Sequence, residues 1–151
     1  IELVCKNSLN KVPQHYVVNA ALSGLAKWAS DGQAPAHSTR IEYKNLKVSR
    51  DANGNALGGI RLPDLEAAIA THNYANYGVI GSGNWFVNAF ACPFLGNTVP
   101  FDQAKLNALY PTHQDYVSKF TQAADAALEA GFLLPADHKE AIAGAQAADI
   151  P

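Results

Sequence analysis

Chemistry in this sequence has few places to reside. The candidates are a serine between glycines, Asp and Asn at alternate positions of a turn, an arginine between Gly-Gly and Pro, and five histidines. Ser82 stands in GVIGSGNW. A nucleophile elbow sets glycines two residues to either side of its serine, on a tight turn between strand and helix. Here the glycines are direct neighbours, Gly81 and Gly83, and the outer positions are Ile80 and Asn84. The stretch reads as a Gly-Ser loop.

The segment 51–63, DANGNALGGIRLP, opens with Asp51, Asn53 and Asn55. These are positions 1, 3 and 5 of an EF-hand-like loop, which needs Gly at position 6 and a bidentate Glu at position 12. Those positions hold Ala56 and Leu62. Asn53-Gly54 therefore reads as a turn suited to positive φ, with a calcium loop as the weaker alternative. Gly58 and Gly59 predict a close backbone approach to a neighbouring surface. Arg61 suits a bidentate clamp on a carboxylate, either a substrate's or, as the commoner case, the protein's own.

The histidines are His15, His37, His72, His113 and His138. His37 lies in a Pro/Ala loop, His72 follows a possible strand, and His113 and His138 open helices where solvation is expected. His15 sits in the first turn of the helix expected to be the most buried. A neutral, hydrogen-bonded imidazole is the plainer expectation there, and a catalytic base the sharper one. No His-x-x-x-His pair occurs, and the two cysteines, Cys5 and Cys92, form no CxxC. No metal or other cofactor is called for. The cysteines are either two buried thiols or one disulfide closing a long loop.

The elements that must hold these residues read as follows. Residues 14–30 predict a helix after Pro13, which suits a first-turn position. Val17, Ala21, Gly24 and Trp28 share one face, with Val18, Leu22, Leu25 and Ala29 beside them. So wide a stripe predicts a helix buried on most sides, ended by Gly32. RIEYKN and LKVSR alternate as short strands, with DANGN turning after them. AAIATHNY is a possible strand. GVIGSGNWFVNAFACPFLGNTVPF shows no helical spacing and predicts irregular chain, which is unusual over such a length inside an independent domain. Asp102 caps a short helix, Thr112 and Asp115 open a long one that Gly131 ends, and a last helix starts near Pro135.

Composition narrows the function classes. The chain of 151 residues is 48% hydrophobic and 16% charged, with net charge -2. It has no basic run, so no nucleic-acid partner is expected. No apolar run approaches the roughly 20 residues of a membrane span. It begins at Ile1 and contains no Met, which predicts a mature or cleaved chain or a piece of a larger one.

The order PQHYVVNAALSGLAKW, DGQAP, DANGNALGGIRLPDLE, CPFLGNTVPF and LYPTHQDYVSKFTQAADAALEAGFLLPAD resembles the C-terminal part of a bacterial family described as alpha/beta hydrolase domain-containing proteins. GNALGGIRLP, LGNTVPF and GFLLPAD are its most specific pieces. The resemblance implies an α/β fold class: a C-terminal segment of an α/β-hydrolase fold, mostly helical, with a short hairpin and long loops, and not an independent domain. Residues 14–30 would be the final core helix, 40–100 a hairpin and loop-rich cover, and 101–151 the C-terminal helices. It further implies a Ser–His–acid site acting on a small ester-like substrate. The triad runs Ser, acid, His along the chain. Serine and acid would then lie on an N-terminal segment of the same precursor, and the histidine just upstream, with His15 the candidate within the chain. Gly58, Gly59 and Arg61 would shape the pocket. Secreted relatives favour pairing of Cys5 with Cys92 and a periplasmic or extracellular location. The rivals are a non-catalytic binding or scaffold module and a calcium-stabilised extracellular module on Asp51, Asn53 and Asn55.

Overall fold

The structure is a computed structural model and describes residues 5–79 and 85–151. In chain order the elements are α1 (Gln14–Asp31), β1 (Tyr43–Lys44), β2 (Lys47–Val48), α2 (Pro63–Glu66), β3 (Ala70–Asn73), α3 (Trp85–Leu95), β4 (Asn97–Pro100), α4 (Gln103–Leu109), α5 (His113–Glu129) and α6 (Pro135–Gln146). Helices dominate. The strands form two separate antiparallel pairs, β1 with β2 and β3 with β4.

α5 organises the core because its ends are well specified and one face is apolar. The Thr112 hydroxyl accepts from Asp115 N, and the Asp115 carboxylate accepts from Thr112 N, so both orphan donors are satisfied. Gly131, at φ 78°, carries the chain out of the helix. Tyr116, Val117, Phe120, Ala124 and Ala127 are buried along it. α6 and α2 pack against this helix. Tyr16, Leu62, Tyr110 and Leu133 complete the same cluster. Tyr110 meets Tyr116 edge-on at 5.1 Å between ring centroids, a favoured aromatic geometry.

The breadth of burial expected for α1 is not found. Only Tyr16 and Ala20 are buried, while Val18, Leu22, Leu25 and Trp28 are 53–60% exposed. An apolar stripe records what a helix is built to cover, and the described residues cover little of this one. Its end at Gly32, in the left-handed region, is as the sequence predicts.

The stretch expected to be irregular holds real elements. α3 runs through it with Asn88 and Cys92 buried and Phe86, Phe90 and Phe94 exposed, each set four residues apart. β4 pairs with β3 in the register Ala70↔Pro100 to Asn73↔Asn97. Asparagine side chains finish this sheet. Asn55 is fully buried; its Oδ1 accepts from His72 N at 2.7 Å and its Nδ2 donates to Ala70 O at 3.1 Å. A side-chain amide thus occupies the open edge of β3 as a third strand would. Asn76, also fully buried, uses all four of its bonding positions: Oδ1 accepts from Asn7 N and Tyr77 N, and Nδ2 donates to Asn7 O and Gly96 O. Next to it, a Cys5–Cys92 disulfide ties the N-terminal segment to α3.

Candidate functional site

The segment 51–61 folds around Asp51. Its Oδ1 accepts from the backbone N–H of Asn53 and Asn55, both at 2.9 Å, which makes an Asx turn. Its Oδ2 meets Arg61 Nη2 at 2.8 Å. The Arg61 guanidinium also donates to Glu66, to Ala56 O and to Leu65 O. One planar fork therefore joins the turn, the loop and α2. Burial raises the Asp51 carboxyl, but the Arg61 hydrogen bond, the two backbone N–H groups and the Arg61 charge outweigh it and hold it below its ordinary value. Both Asp51 oxygens thus face protein donors, the Asn55 amide serves β3, and Asn53 O accepts from Thr71 Oγ1 at 2.7 Å.

Gly58 and Gly59 lie at φ 73° and 72°. A Cβ on Gly58 would stand 2.1 Å from Arg40 O, a backbone atom with little freedom to move. Gly58→Ala combines that clash with a left-handed φ, and we expect it to destabilise the protein by about 2 kcal/mol or more. Urea unfolding of the variant checks this; an unchanged midpoint would show that the backbone at Arg40 yields freely.

The histidines separate clearly. His15 is exposed, its ring meets that of Tyr16 at a tilt of 58° with 4.2 Å between centroids, and it has no carboxylate partner among the described residues. His37 is exposed in its loop. His113 and His138 are bound rather than merely solvated. His113 Nδ1 and Nε2 approach the carbonyls of Ile150 and Gln146 at 3.0 and 3.1 Å, and His138 Nε2 approaches Asp125 at 2.7 Å. Each helix start leans on the element packed beside it, which spacing along one helix does not reveal. Ser82 lies outside the described residues.

His72 is the residue that the sequence undersold. It sits in β3, half buried, and burial pushes its imidazole below the ordinary 6.5, so it is neutral at pH 7. Its Nδ1 lies 3.1 Å from Thr98 Oγ1, across the strand pair. Thr98 Oγ1 already accepts from Lys11 N at 2.9 Å. The Thr98 hydroxyl can pair with either tautomer of His72, accepting from Nδ1–H or donating to Nδ1; in the second case the imidazole proton stands on Nε2. The signal for this was the alternation of ATHN within a strand, whose partner lies 26 residues on.

A separate group of titratable side chains gathers where α1, α2 and α5 meet. Burial pushes the Asp64 carboxyl up, against a hydrogen bond from its own N–H that lowers it. Burial, then the Asp64 charge, then Tyr110, lift the Tyr116 phenol to about 12. Burial and the nearby Glu140, Asp64 and Asp137 raise Tyr16. Neutral phenols of this kind donate hydrogen bonds and do not act as nucleophiles near pH 7.

No group of three or more His, Cys, Asp or Glu among the described residues is arranged to hold a metal ion. No described helix is long and apolar enough to cross a membrane. The search of curated proteins gave no match to this chain, and neither did the search of solved structures. One family profile does match, that of the alpha/beta hydrolase domain, and it spans residues 2–143. By that match over nearly its whole length, the chain belongs to the alpha/beta hydrolase domain family.

Proposed function

We propose that this chain is the C-terminal portion of a serine hydrolase acting on a small ester-like substrate, with the nucleophile on an upstream segment of the same precursor. The observation that carries the proposal is the uncovered apolar face of α1, Val18, Leu22, Leu25 and Trp28. Domains are built from layers, and helices of an α/β domain cover a mostly parallel sheet. Both strand pairs here are antiparallel and short, so no such sheet lies among the described residues of a hydrolase-family chain. The N-terminal segment supplies it, and α1 serves as the final core helix laid against it. The sequence also contains no Gly-x-Ser-x-Gly.

The chemistry follows from the family. A serine hydroxyl attacks the ester carbonyl, a histidine takes its proton and later returns it to the leaving oxygen, and backbone N–H groups hold the oxyanion. This chain supplies cover: the Arg61 clamp fixes the 51–66 segment, and Gly58 and Gly59 seat it against the chain leading into β1. The disulfide and the absence of a spanning helix among the described residues fit a periplasmic or extracellular setting.

A fluorophosphonate probe on the full-length protein tests the reading. We expect one serine upstream of Ile1 to be labelled; an unlabelled protein that also fails to cleave p-nitrophenyl acetate sinks it. His15→Ala should label within about twofold of the parent rate, because losing a general base slows such steps by about 10²–10⁴. A loss on that scale would move the base into this chain.

A further inference from the structure

The hairpin of β1 and β2 stands over an open groove of about 730 Å³, within the size range of small-molecule sites. Ile41, Tyr43, Val48 and Tyr74 form its apolar walls, and the half-buried His72 also lines it. Two charged residues, Lys47 and Arg50, also line it, and both are cations. No acid lines it. Arg50 donates to Gly54 O and has no carboxylate partner among the described residues, which leaves most of its five N–H donors for a ligand. Lys47 stands directly across from Lys44 in the hairpin register. Like charges opposed in this way repel, and an anion nearby relieves them.

The turn itself adds an independent observation. Asn45 and Leu46 have φ 52° and 61°, the left-handed pair of a tight two-residue hairpin. Asn and Gly suit those positions, and a leucine is disfavoured there. Leu46 is nevertheless 99% exposed, and it lines the groove. Neither turn geometry nor core packing asks for a leucine at that point. Its exposed side chain is free to meet apolar matter held in the groove.

We propose that this groove binds a small amphipathic carboxylate. The anion sits on the Arg50 guanidinium with Lys47 adding charge at the rim. The hydrocarbon lies against Ile41, Tyr43 and Tyr74 under Leu46, and His72, in the tautomer that takes the Thr98 proton on Nδ1, offers Nε2–H as a second donor to the head group. Binding needs no nucleophile, so the site stands apart from the hydrolase reading.

Calorimetric titration of the full-length protein with sodium octanoate, and with 1-octanol as the neutral control, tests it. Octanoate should bind saturably and at least tenfold more tightly than octanol. Arg50→Gln should weaken octanoate about tenfold and leave octanol unchanged, and Lys47→Gln should weaken it about two- to threefold. Lys47 is exposed, so its variant keeps the test decisive if the Arg50 variant unfolds. Leu46→Gly should raise Tm, by relieving the turn, and yet weaken both ligands. A leucine that served only the fold would not separate those two readouts. The proposal is overturned by absence of saturable octanoate binding, by equal binding of octanoate and octanol, or by unchanged octanoate affinity in all three variants.

Discussion

Serine at both Cys5 and Cys92 is expected to lower the unfolding free energy of the protein by about 4.5 kcal/mol. The bridge joins residues 87 positions apart. In the chain-entropy picture, a loop of that length removes about 4.5 kcal/mol of freedom from the unfolded chain. The other described ties of the N-terminal segment are the packing of Val12 on the core and a few hydrogen bonds, among them Lys6 N to Tyr77 O at 2.7 Å, Thr98 N to Ser8 O at 3.1 Å and the pair through Asn76. Cys92 is fully buried, so a serine hydroxyl there adds a desolvation cost on top of the lost link. Urea unfolding of the variant, and of the parent with and without dithiothreitol, measures the effect. Full reduction of both thiols without a shift in the midpoint would show that the segment is held by its hydrogen bonds alone.

The same bridge shows where the sequence was legible and where it was not. From residue types alone, Cys5 and Cys92 allowed two outcomes, and only the family resemblance leaned toward pairing. Local signals read well. Thr112 with Asp115, Gly131 and Gly32 mark helix ends by chemistry confined to a turn, and α5 and α1 end where those residues say. Long-range signals did not. β4 is defined by its partner β3, and nothing near LGNTVP announces it. α3 was hidden because it is apolar on nearly every side and contains Pro93, so no period stood out. Asn55, Asn76 and Asn97 read as loop polarity, yet they are buried and finish backbone ladders by their amides. For α1 the stripe was legible and its cover was not, since periodicity gives the width of an apolar face and not the identity of what lies on it. His72 needed both strands in place before its Thr98 partner came within reach.

Arg61→Ala is the second large loss we expect, about 2–3 kcal/mol, or roughly 5–10 °C in Tm. Breaking a buried ion pair costs about 3–5 kcal/mol because the remaining charge stays unpaired. The side chains of Arg61 and Asp51 are 16% and 20% exposed, so water repairs part of the damage and the estimate is set lower. Glu66 is 48% exposed and contributes little. Arg61→Lys should recover less than half of the loss, because one ammonium cannot span Asp51, Ala56 O and Leu65 O together. The pair also predicts the acid limb of stability. Asp51 has a folded pKa below its ordinary 3.8, so its contribution is complete above that value and is lost as pH falls through the folded value. Asp51→Asn keeps an oxygen for the Asx turn and loses the charge; it should be less stable at pH 7 and show a shallower decline below about pH 4. Thermal melts of the parent and the three variants across pH 2–7 test all three expectations. If Arg61 instead held a substrate carboxylate, Arg61→Ala would raise KM at an unchanged Tm, and that pattern would overturn the clamp.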